Sequence, residues 1–177
     1  MPSEELTRWT IRLALCGYLG RIFIGLLAVK RPALSYLARW FWTVGCILLG
    51  AHIACAFQFY HHWSHSVAYE HTARESLEKV GVNWGGGIWF NYLFLALWTV
   101  DTCWWWASEK SYVCRPQWIS IALHAYLAFI AFNATVVFET GPVRWLGVLA
   151  TFAVLVFGVI RYGQYRQSVA ANVPPPA

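Results

Sequence analysis

Apolar residues run along this chain in five long blocks separated by short polar connections. They fall at about residues 9–29, 38–60, 87–107, 117–138 and 143–162. Roughly 20 residues of helix cross a hydrocarbon core of about 30 Å, so each block is long enough to span a bilayer. Helix is the form that lipid demands, because it satisfies its own backbone hydrogen bonds. A transmembrane barrel needs strict alternation over segments of about ten residues, whereas residues 146–159 are apolar on both parities. The pattern predicts an all-α, multi-pass transmembrane bundle of about five spans with a short external helix. Residues 1–168 would form one integral membrane domain and residues 169–177, rich in proline, a disordered tail.

Composition agrees. The chain is 59% hydrophobic and 12% charged, against about 25% charged in soluble domains. The first block is interrupted by Arg12 and Arg21. At about 100° per residue these point to opposite sides, which favours crossing the membrane over lying flat on it. Glu4 and Glu5 spoil a basic n-region, so a cleaved signal peptide is not expected.

Charge sets an orientation. Lys30, Arg31, Arg39, Lys110, Arg115, Arg161 and Arg166 fall on one side of a five-span bundle, and Arg8, Arg74, Lys79 and Arg144 on the other. The positive-inside rule places the larger set in the cytoplasm. The N-terminus and residues 61–86 are then outside and the C-terminus inside, in a plasma or inner membrane. The net charge of +5 reflects this asymmetry, and no basic run suggests a nucleic-acid partner. The expected partners are the lipid bilayer and other membrane subunits.

Trp104, Trp105 and Trp106, with Trp40, Trp42 and Trp118, fall near the inner interface, and Trp9, Trp63, Trp84, Trp89 and Trp145 near the outer one. An indole favours that depth, with an apolar body and one N–H to satisfy. Cys16, Cys46, Cys55, Cys103 and Cys114 form no CxxC pair, and no structural disulfide is expected.

The densest chemistry follows the second block: His61, His62, His65 and His71 lie within eleven residues. If the helix continues past the membrane, His61 and His65 share a face, and His62 and His65 are also neighbours. Such a pair can offer two imidazole nitrogens to one transition metal or to haem iron, with His71 or Glu70 completing the set. The alternative is an interfacial cluster without a ligand, able to respond to pH. His61-His62-x-x-His65 resembles one histidine box of the membrane desaturases and hydroxylases. Those enzymes hold two irons with several boxes, and this chain has one cluster and six His in all. Residues 64–80 have helical spacing, with Trp63, Val67, Ala73, Leu77 and Val80 on one broad face and Gly81 as a stop.

Inside the blocks, ionisable residues are costly and face the bundle interior. Arg21, Asp101 and His124 share a level roughly 10 Å from the cytoplasmic boundary, at about 1.5 Å per residue. Asp101 is expected to meet Arg21, His124 or both, as a clasp between helices or part of an ion path or ligand pocket. His52, Asn91 and Asn133 lie in the outer half and would line a polar cavity there. Gly45, Gly50 and Ala54, with Ala122 and Ala125, read as close-packing positions.

No nucleotide loop, Ser/His/Asp arrangement or paired-carboxylate site is present. The leading reading is a small membrane subunit or accessory protein with a His-rich extracytoplasmic segment. The alternatives are a metal- or haem-binding redox component and a small proton-coupled carrier.

Overall fold

A computed structural model describes residues 2–27 and 32–171. Among them every regular element is helical: α1 (Pro2–Leu27), α2 (Pro32–Ala56), α3 (His65–Val80), α4 (Gly87–Ala107), α5 (Glu109–Val113), α6 (Gln117–Phe132) and α7 (Pro142–Ala171). Two π-helical turns extend them, π1 (Phe57–His61) after α2 and π2 (Asn133–Val137) after α6. α7 runs three residues into the segment expected as a tail. Lys30, Arg31 and residues 172–177 lie outside the described residues, and of Arg161 and Arg166 only the backbone is described.

Among the described residues two helical stretches are long and apolar enough to cross a membrane, Leu34–His61 and Gln117–Val137. Only 22% and 6% of their most apolar windows are buried inside the molecule, unlike the core helix of a soluble protein. α1, α4 and α7, at 26, 21 and 30 residues, reach the required length. α1 carries five charged side chains, and the part of α7 whose side chains are described up to Val156 is apolar, Pro142–Val156.

The core is built on the crossing of α1 with α2, the most extensive contact between any two elements. Thr7, Thr10, Ala14, Gly17 and Tyr18 are buried along α1, and Ala38, Trp42, Gly45, Cys46 and Leu49 along α2, each set at helical spacing. Gly17 lies directly against the Gly45 backbone. α4 closes the core with Phe94, Trp98, Asp101, Thr102 and Trp105. Tyr18, Trp42 and Trp98 pack ring to ring, with centroids 4.8–5.8 Å apart, and Trp98 Nε1 donates to the Trp42 carbonyl at 3.1 Å.

This corrects the aromatic-belt expectation for two residues. Trp42 and Trp105 are 0% and 4% exposed and belong to the core, whereas Trp9, Trp63, Trp84, Trp89, Trp118 and Trp145 are exposed. Of the expected packing positions only Gly45 fills that role: a Cβ on Gly50 would meet nothing within 4 Å, and Ala54, Ala122 and Ala125 are exposed.

α3 has the expected bounds. Ser64 caps its start, accepting from the Val67 N–H at 3.4 Å, and Gly81 ends it in the left-handed region at φ 76°. The face it packs is not the expected one. Ala68 and Ser76 are buried, with Thr72 between them beside Gly87, while Trp63, Val67, Leu77 and Val80 stay exposed. α3 meets the Gly85–Gly87 turn through Thr72, beside Gly87, and through the Tyr69 carbonyl and ring, which lie against Gly85. Gly81→Ala is expected to loosen the last turn of α3 by about 1 kcal/mol, read as roughly five-fold faster amide exchange over residues 76–80. Unchanged exchange would mean the left-handed stop is not needed.

Candidate functional site

The polar centre of the molecule is Asp101, 3% exposed in the last turns of α4. Its partners come from the short connection to α6. After α4 the chain turns at Ser108, whose extended backbone starts the five-residue α5 and whose hydroxyl accepts from the Ser111 N–H at 3.3 Å. That single turn of helix folds Tyr112 and Arg115 back over α4. The Tyr112 hydroxyl donates to Asp101 Oδ2 at 2.9 Å, and Arg115 forms an ion pair with Asp101 Oδ1. Both Arg115 and Asp101 side chains are 4% exposed. Arg115 Nε also donates to Ser120 Oγ at 2.7 Å, and its guanidinium lies 4.1 Å from the Tyr112 ring. Tyr112 in turn stacks on Trp105, with centroids 4.6 Å apart and planes 2° apart. Burial and the adjacent Asp101 carboxylate push the Tyr112 hydroxyl pKa up to about 12 against the opposing pull of Arg21 and Arg115, so it stays a donor near neutral pH.

The expected direct contact of Asp101 with Arg21 or His124 is therefore replaced by Arg115 and Tyr112. Arg21 and His124 do lie close enough for charge to act among Arg21, Asp101, Arg115 and His124. By sequence Arg115 counts only as a charge of the cytoplasmic side and is missed as the partner of Asp101. The signal for that pairing is the length of the link: the few residues between α4 and α6 cannot carry an arginine far from the last turn of α4.

Arg21 is held by rings. Its guanidinium lies 5.8 Å from the Trp42 ring and 5.0 Å from the Trp105 ring. The His124 ring packs edge-on to Trp42 at 5.5 Å, and the Tyr18 hydroxyl reaches the His124 carbonyl at 3.4 Å. Arg39, near the same end, stacks on Trp106 at 3.8 Å and pairs with Glu109 at 3.7 Å.

The histidines do not form the expected helical pair. α2 gives way to π1, and His62 and Trp63 then take left-handed backbone at φ 48° and 56°, so His61 and His65 fall on different elements. His61 meets His71 of α3 instead, with rings 5.3 Å apart. His65 Nδ1 bonds the Tyr92 hydroxyl at 3.1 Å and its ring packs on Trp89. His62 is exposed. Among the described residues no group of three His, Cys, Asp or Glu side chains is placed to hold a metal. The five Cys are free.

The outer cavity is not assembled either. His52 Nδ1 bonds the Thr7 carbonyl of α1 at 2.9 Å, Asn133 Nδ2 donates to Phe129 of its own helix at 2.7 Å, and Asn91 is exposed. A groove of about 410 Å³ does open between α4 and α6, walled by Val100, Trp104, Trp118, Ala122 and Tyr126 beside Asp101. It is almost wholly apolar.

No protein-family model, curated protein or solved structure matches the chain.

Proposed function

We propose that this chain is an integral membrane protein crossing the bilayer five times, through α1, α2, α4, α6 with π2, and α7. In this reading α3 rests on the extracytoplasmic surface, the N-terminus is outside and the C-terminus cytoplasmic. Its role is that of a small subunit or accessory protein that packs against other membrane helices. The observation that carries this reading is the thin attachment of α6 and α7. α6 buries only Leu127 and Ile130, and α7 packs chiefly on π2 and α1. Trp118, Ile121 and Phe129 on α6, and Trp145, Leu149, Phe152 and Leu155 on α7, are each more than half exposed.

In lipid, helices gain nothing from hiding apolar surface from one another, so association rests on close packing and hydrogen bonds. A helix that finds little packing in its own chain acquires it from another. A photo-crosslinking residue at Phe152 or Ile121 in native membranes should give one defined protein adduct. Lipid adducts alone at both positions would overturn the subunit reading.

One observation favours a second reading, a metal- or haem-binding membrane component. His61 Nδ1 is buried without a hydrogen-bond partner, beside the His71 ring. An optical spectrum and elemental assay of the protein purified from native membranes decide it. Stoichiometric iron, copper or zinc that is lost in a His61→Ala/His71→Ala variant supports it, and a metal-free, colourless protein rejects it.

A further inference from the structure

Four buried polar atoms without a hydrogen-bond partner gather near one another: Arg21 Nε, Trp42 Nε1, Trp105 Nε1 and His124 Nδ1. They come from four different helices, yet the ring and guanidinium contacts link Arg21 to both tryptophans and Trp42 to His124. Trp42 and Trp105 are 0% and 4% exposed. An unsatisfied donor out of reach of water is costly, and native interiors leave few. Three together are all fixed donors, because an indole N–H and a guanidinium cannot accept.

Charge points the same way. Arg115 uses Asp101 and Arg39 uses Glu109. Among the described residues no carboxylate lies within ion-pair distance of Arg21. Arginine cannot shed its proton in a protein, and its guanidinium lies over two aromatic faces rather than in an ion pair. The nearby Asp101 already has Arg115 and Tyr112 as its partners.

We propose that Arg21, Trp42, Trp105 and His124 form a binding site for an oxyanion, a carboxylate or phosphate group carried by a lipid headgroup or a small solute. Arg21 supplies the charge, the two indoles supply directed donors, and His124 selects the protonation state it meets at Nδ1. The four atoms are shielded in this structure, so entry requires the Arg21 side chain to swing. Its present position depends on Gly25, where a Cβ would overlap Arg21 Nη1.

The test uses the full chain in detergent and in phosphatidylcholine nanodiscs. The probes are inorganic phosphate, acetate and, in the discs, added phosphatidylglycerol, and the readouts are thermal melting and calorimetric titration. Saturable binding of phosphatidylglycerol alone identifies a lipid headgroup. Saturable binding of phosphate or acetate identifies a free oxyanion. Trp105→Phe keeps an aromatic face and loses the N–H, and should weaken binding about ten-fold. Arg21→Gln should abolish binding, because the site loses the cation that lies over the Trp42 and Trp105 rings. If Arg21→Gln fails to fold, Trp105→Phe still decides. The site is overturned if no probe binds saturably, or if Trp105→Phe binds as tightly as the parent.

Discussion

Arg115→Ala should lower unfolding stability by about 3–5 kcal/mol, the largest effect expected of any single substitution outside the α1–α2 crossing. The reason is the carboxylate left behind. Asp101 and Arg115 are both almost wholly buried, and a buried ion pair contributes little net stability over an apolar pair of the same volume. Removing one partner leaves a charge that neither lipid nor core can solvate. The double variant Asp101→Leu/Arg115→Leu should therefore recover most of the loss. Tyr112→Phe, which removes one donor to a charged group while keeping the stack on Trp105, should cost about 1.5–3 kcal/mol. Unfolding in detergent, followed by near-ultraviolet dichroism of the buried tryptophans, reads all three. A double variant no better than Arg115→Ala would show that Arg115 acts through its contacts with Ser120 and the Tyr112 ring rather than through Asp101.

The second large effect lies at Gly17. A Cβ there would stand 2.8 Å from Gly45 Cα and 2.9 Å from the Phe41 carbonyl oxygen, both backbone atoms that cannot turn aside. Gly17→Ala forces α1 and α2 apart and should cost at least the 1–3 kcal/mol typical of an overfilled core. Gly17→Leu should prevent the crossing altogether. Gly50→Ala is the matched control, with nothing within 4 Å of its added carbon, and should change stability by no more than about 0.5 kcal/mol. Equal losses at the two positions would remove the close crossing from the account of stability.

The helices were legible in the sequence because period and punctuation agree. Ser64 and Gly81 mark α3 to the residue, and its apolar spacing gives its length. What could not be read was which of two acceptable faces would pack. Val67, Leu77 and Val80 have the hydrophobicity, but the buried positions are Ala68 and Ser76, with Thr72 beside Gly87. The same limit applies to tryptophan. Trp42 and Trp106 look alike by depth, yet one is core and the other lies against Arg39, a difference set by helix rotation that depth arithmetic ignores.

At the site, depth brought Arg21, Asp101 and His124 to one level. It could not anticipate that a single turn of helix would return Tyr112 and Arg115 to the same place. The histidine pairing failed for a local reason, the change from α to π helix before His61 and the left-handed residues after it.

The dominance of the α1–α2 crossing has a consequence for biosynthesis. Chains fold from the N-terminus as the ribosome releases them, and these two helices emerge before α4, α6 and α7. Their shared glycine contact is complete without any later residue, so the pair can settle before translation reaches α4. Trp98 and Trp105 then arrive at a surface already formed, and α6 and α7, which depend least on the rest, are the last to be committed. A stalled chain released after α2 should therefore already resist protease along its first two helices, while one released after α6 should still be cut between α6 and the earlier helices.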